Sequence, residues 1–258
     1  MPVTKDPEKV MSLLGHLEEL RRRLIICGVS IILLSVVSHL YVDEIRALFI
    51  RPVGELVYLG LAEALMTNLR LVLVAGFFLS LPVIFYQAWL FVLPGLHKQE
   101  RLLIFAVALF SLIFFMLGVV FAFKVILPFS VQFFMGFAAP GLTPMISFSA
   151  YISYSMGLMI GFGLVFLMPV VFLLLAKLGL VTAEYLVRQR MYATIIIFIL
   201  AAVFTPPDVL SQVLMGVPML ALYELSILMT RFVKPREGRE ETELSQQAVE
   251  ITEIDSRR

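Results

Sequence analysis

Two carboxylates, Glu18 and Glu19, stand directly before three arginines, Arg21, Arg22 and Arg23, in the stretch GHLEELRRRLIICG (15–28). On one helix, Glu18 with Arg22 and Glu19 with Arg23 are i,i+4 pairs in the favourable order, and that alone accounts for the pattern. A second acid, Glu100, lies in FVLPGLHKQERLLIF, a short polar interruption just after Phe91, Pro94 and Gly95. If the fold brings Glu19 and Glu100 together, they form a carboxylate site at one membrane surface. Carboxylates hold an arginine bidentately and a lysine only as a point charge, so the site suits a basic, di-arginine ligand.

Other chemistries lack their residues. The chain has no GxxxxGK[ST] loop for nucleotide phosphates, no HExxH or cysteine pair for a metal and no GxSxG elbow for a nucleophile. His16, His39 and His97 are scattered. No metal, no cofactor and no enzymatic activity are expected. The single cysteine, Cys27, forms no internal disulfide and reads as a packing residue. A formal net charge of +1, with basic loop edges rather than a basic face, argues against nucleic acid.

The elements that must position the acids follow from composition. With 60% apolar and 15% charged residues and a strongly positive mean hydropathy, the chain reads as an all-α integral membrane protein. Uncharged windows at 24–40, 71–93, 102–123 and 151–176 fit the roughly 20 residues a spanning helix needs. Two shorter ones, 191–204 and 209–223, flank Pro206, Pro207 and Asp208, which cannot continue a helix, and the last span is expected over 209–229. Six transmembrane helices are expected in one domain, 1–232, with a charged solvated tail, 233–258. Pro82, Pro169 and Pro218 each remove a hydrogen bond, so kinked spans enclosing a concave groove are expected. A faint likeness of Gly76 and Pro82 to Gly163 and Pro169 fits a parallel repeat, but Gly and Pro are common in membrane helices anyway.

Orientation follows from the basic residues. Lys5, Lys9, Arg21–Arg23, Lys98, Arg101, Lys177, Arg188, Arg190 and the basic tail all fall on one side of the six-span layout; Arg46, Arg51, Arg70 and Lys124 fall on the other. Both termini are therefore expected in the cytoplasm. The first span has no small-residue cleavage site and is expected to be retained. The absence of a transit peptide favours a prokaryotic plasma membrane. On the outer side, 43–50 is amphipathic and 56–65 apolar, which suits two interfacial helices, and a second loop runs from Pro128 to Ser149, broken by Pro140, Gly141 and Pro144. These loops either cap the outer side or merely tie helix ends. Two ionisable groups lie within spans: Lys124, which can snorkel, and Glu224, which can pair with Arg231 or carry a proton.

Three blocks, HLEELRRR, LPVIFYQAWLFVLPGLHKQER and FTPPDVLSQVLMGVPMLALYELS, together resemble the TatC family, the twin-arginine protein translocase subunit, over nearly all of residues 11–232. The resemblance implies a receptor that binds twin-arginine signal peptides of folded precursors. It also implies recruitment of single-span TatA-type and TatB-type partners, contact with membrane lipids, self-association, and transport driven by the proton gradient. Under it, Glu19 and Glu100 match the acids of signal recognition and Phe91 the nearby aromatic. Arg21, Pro52 and Pro94 take supporting roles. Thr205, Asp208 and Gln212 fall in the partner-contact segment, and Glu224 matches an acid of the last helix. Where many relatives carry Glu or Gln two residues before the proline of the fourth span, this chain has Leu167. The alternatives are a secondary transporter of a small solute, which lacks polar residues converging at the midplane, and a structural scaffold.

A span of about 14 residues covers roughly 21 Å against a hydrocarbon core near 30 Å, so either the bilayer thins beside the last hairpin or the helix ends snorkel. If that thinning eases passage of folded cargo, adding one leucine turn to 191–204 impairs export without lowering signal-peptide affinity. An export assay paired with a binding assay checks this, and unchanged export refutes it.

Overall fold

The computed structural model describes residues 13–92, 101–136, 145–204 and 209–232. Its regular elements are helices: α1 Leu13–His39, α2 Val42–Ile50, α3 Glu63–Val92, α4 Arg101–Phe121, α5 Leu127–Met135, α6 Phe148–Phe166, α7 Met168–Lys177, α8 Ala183–Arg188, α9 Arg190–Phe204 and α10 Val209–Arg231. Four segments are long and apolar enough to cross a bilayer: Glu63–Phe91, Phe105–Met135, Phe148–Lys177 and Gln212–Arg231. The first helix passes when counted with α2, from which it is bent by 82°, and Arg190–Val203 is a shorter apolar helix. Apolar helices thus occupy all six expected places.

Two details depart from expectation, each for a backbone reason. Pro128 does not end the third span. A π turn over Ala122–Ile126 precedes it, and Pro128 sits in the first turn of α5, where a missing N–H costs little, so the span runs on to Met135. The run 56–65 is not an interfacial helix. Gly54 adopts φ 86°, and Val57 pairs with Ser147 in an isolated parallel bridge, so helix begins only at Glu63. Of the three prolines, only Pro169 interrupts its helix, at Leu167; α3 and α10 run continuously through Pro82 and Pro218.

The interior is apolar with small polar exceptions. Ser38, Ser80, Ser130, Ser155, Ser226 and Thr230 are buried, and each hydroxyl donates to a carbonyl one turn back at 2.6–2.8 Å. Without water, that is how a small hydroxyl is satisfied while helices approach closely. Leu24, Val29, Ile32, Leu33 and Val36 of α1 face outward, as lipid requires.

The helices group into two compact units, Met1–Ile160 and Gly161–Arg258. In the first, α1 lies along α3, and α3 along α4. Trp89 Nε1 donates to Ser111 Oγ at 2.8 Å, and Phe115 packs among Phe77, Phe78 and Phe85. The α1–α3 crossing is set by Gly76: a Cβ there would lie 2.5 Å from the Ser35 nitrogen and 2.6 Å from its Cα. In the second unit α10 packs on α7, α8 and α9. Tyr223 stacks edge-on against Phe172 and its hydroxyl donates to the Leu186 carbonyl at 2.7 Å.

Backbone cannot yield as a flexible side chain can, so Gly76→Ala should force α1 and α3 apart and cost about 1–3 kcal/mol. Gly157 has open space at its Cβ position, and Gly157→Ala should be neutral or slightly stabilising. Thermal unfolding of detergent-purified variants compares them. Equal melting of Gly76→Ala and wild type would show the crossing to be soft.

Candidate functional site

The opening acids have different fates because successive helical residues point about 100° apart. His16, Glu19 and Arg23 form one stripe of α1, and it meets Gln87 and Phe91, themselves one turn apart on α3. The His16 and Phe91 rings stack at 4.4 Å with 19° between planes. Arg23 pairs with Glu19, its Nε donating to Oε1 at 3.1 Å, and its Nη1 donates to Gln87 Oε1 at 3.2 Å. The second Glu19 oxygen, Oε2, is buried without a hydrogen-bond partner among the described residues. The adjacent stripe, with Gly15, Glu18, Arg22 and Ile26, lines a recess of about 550 Å³ that Glu19 and Arg21 also border. Glu18 and Arg22 are exposed and do not form the ion pair their spacing allows.

The structure therefore sets Glu19 and Phe91 on facing stripes of one seam, whose contacts are His16 with Phe91 and Arg23 with Gln87. Glu100 and Pro94 lie outside the described residues; Glu100 directly precedes α4, which opens at Arg101. Pro52 is exposed in the turn closing α2. Thr205 and Asp208 also lie outside the described residues. Gln212, at the start of α10, donates from Nε2 to the Phe198 carbonyl at 3.0 Å and so ties the α9–α10 hairpin. Glu224 pairs with Arg190 of α9 at 2.7 Å rather than with Arg231. Both are about half exposed, and the contact is a structural pair across α9 and α10. Among the described residues no cluster of His, Cys, Asp and Glu fits a metal ion.

One acid was missed in the sequence. Glu63, at the start of α3, accepts from the Ser147 hydroxyl at 2.7 Å and the Ser149 amide at 2.9 Å through Oε1. Its Oε2 accepts from the amides of Leu59 and Gly60. Beside it, Val57 exchanges hydrogen bonds with Ile146 and Phe148, Tyr151 donates to the Phe49 carbonyl, and Arg70 reaches Ser153 at 3.1 Å. The segments before α3 and α6 are thus bound to each other rather than merely tying helix ends. A glutamate three or four residues after Leu59 and Gly60 was the only local signal.

Comparison with known proteins agrees with this geometry. The family model of the Sec-independent protein translocase protein (TatC) matches residues 15–218. A Sec-independent protein translocase protein TatC of Carboxydothermus hydrogenoformans is 41% identical over 89% of this chain and 97% of its own. One of Desulforapulum autotrophicum is 37% identical over 88% and 87%. The crystal structure of a twin arginine translocase receptor TatC superposes with a TM-score of 0.75 at 35% identity, covering 84% of this chain and 98% of that one.

Four donors converge on the Glu63 carboxylate, two on each oxygen, and an amide in its place would turn an NH₂ toward two of them. Glu63→Gln should loosen the joined segments, with faster hydrogen–deuterium exchange at the Val57 and Phe148 amides and a lower melting temperature. Wild-type exchange at both amides would show that the joint stands without the charge.

Proposed function

Because the chain belongs to the TatC family and is a multi-pass subunit of the Sec-independent protein translocase, we propose that Glu19, Phe91 and Glu100 form its receptor site for twin-arginine signal peptides. The observation that carries this is the seam where α1 meets the end of α3, which sets Glu19 and Phe91 on facing stripes beside a recess bordered by two carboxylates. A carboxylate suits a guanidinium, which bonds to both of its oxygens in one plane, and Phe91 lies on the facing stripe beneath the His16 ring. Glu100, next in sequence to the α4 start, supplies the second acid.

The site faces the cytoplasm of a prokaryotic cell, with both termini on that side, in keeping with the basic residues around α1 and after α10. Thr205, Asp208 and Gln212 at the α9–α10 hairpin receive single-span TatA-type and TatB-type subunits. Arg21, Pro52 and Pro94 support the scaffold, Glu224 fastens α9 to α10, lipids cover the outward apolar faces, and further copies assemble in the complex. The family is a translocase, not a catalyst, and transport draws on the proton gradient. Nothing in the comparisons favours a transporter of small solutes.

A labelled peptide bearing Arg-Arg should bind the detergent-purified chain about tenfold more tightly than its Lys-Lys counterpart. Glu19→Gln and Glu100→Gln should each weaken Arg-Arg binding about tenfold or more, the worth of a hydrogen bond to a charged group. Equal affinity for the two peptides, or no loss in either variant, rejects the site.

A further inference from the structure

Of the three ion pairs among the described residues, Glu19–Arg23 is the most enclosed. Arg23 keeps 14% of its side chain exposed and Glu19 20%, against 49% and 52% for Arg190 and Glu224. The like-charged neighbours Glu18, Arg21 and Arg22 are exposed. A guanidinium therefore already sits on the carboxylate assigned to receive one.

Its hold is one-sided. Arg23 turns both Nε and Nη2 to Oε1 and leaves Oε2 buried without a donor among the described residues. A buried carboxylate oxygen without a partner is costly, and a guanidinium spanning both oxygens removes that cost. Arg23 also has somewhere to go. Its Nη1 already donates to Gln87 Oε1 at 3.2 Å on α3, so release from Glu19 leaves it a hydrogen-bond acceptor, though a neutral one.

We propose that Arg23 is an internal occupant of the acidic site, displaced toward Gln87 when a ligand arginine takes Glu19 through both oxygens. This rests on Glu19 being the receptor acid. It adds a specificity determinant: a ligand must outcompete a guanidinium, which a lysine, offering a point charge without a fork, does poorly. Discrimination between arginine and lysine then comes partly from the incumbent and not only from the acid.

The full-length chain in detergent, at fixed ionic strength, is titrated with the labelled Arg-Arg and Lys-Lys peptides. Arg23→Gln should bind the Arg-Arg peptide about fivefold more tightly, and the Lys-Lys peptide should gain more, so that the preference narrows. Arg23→Lys, which keeps the charge but not the fork, should fall between wild type and Arg23→Gln, and it carries the test if the glutamine variant does not fold. Arg188→Gln removes an equal charge from an exposed position outside the recess, and should change both affinities alike by about twofold or less. Unchanged or weaker binding by Arg23→Gln, or an equal gain in Arg188→Gln, overturns the proposal. Glu19→Gln separates the two ideas. Loss of binding there without a gain in Arg23→Gln leaves the receptor site standing and removes the incumbent; no loss there removes both.

Discussion

The backbone contact between Gly76 and Ser35 fixes what every other part of the α1–α3 pair can do. In lipid, helices gain nothing from hiding apolar surface from one another, so close packing and satisfied polar groups must hold them together. Their register follows from the crossing. Arg23 lies 12 residues before Ser35 and Gln87 lies 11 after Gly76, which at about 1.5 Å per residue are roughly 18 and 16 Å along antiparallel helices. Glu19 and Phe91, 16 and 15 residues away, keep the same match. One glycine near the middle of the seam therefore sets which side chains meet at its end.

The two ends of α3 treat their acids oppositely. At its start Glu63 accepts four hydrogen bonds and has no unused oxygen. At its finish Glu19, donated by α1, uses one oxygen and leaves the other buried without a partner among the described residues. Buried polar groups are nearly always paired, so a full complement marks a structural joint. A deficit alone does not mark a site, since Ser35 Oγ and Thr67 Oγ1 are likewise buried without a hydrogen-bond partner among the described residues; Glu19 differs from them in being a carboxylate, which a guanidinium can span through both oxygens.

Much of this was legible in the residues. Spans followed from runs of apolar residues, because lipid demands length and lack of charge and little else. The Glu19–Arg23 pair followed from spacing, whereas Glu18 and Arg22, equally spaced, stayed apart on the exposed stripe. What escaped depended on partners distant in the chain. Glu63 binds Ser147 and Ser149 more than 80 residues on, and Glu224 chooses Arg190 across a hairpin over Arg231 on its own helix. Pro128 misled because a proline's effect depends on the preceding turn, and the π segment at Ala122–Ile126 is written in no motif.

Leu167 sharpens the difference between side-chain and backbone polarity. The TatC resemblance leads one to expect a glutamate or glutamine there, yet the chain has an apolar residue where the fourth span breaks. Pro169 offers no N–H to the Val165 carbonyl four residues back, and the Leu167 amide turns to Leu164 at 3.1 Å in a tighter loop. Polarity at this position is thus carried by backbone carbonyls. A carbonyl accepts hydrogen bonds but does not titrate, so a step needing a proton carrier at this point of the span finds none in Leu167. Among the described residues of the second unit, Glu224 is a carboxylate within a span, and Arg190 already holds it. In this chain the fourth span can bend and accept, and its own side chain at the break offers no titrating group.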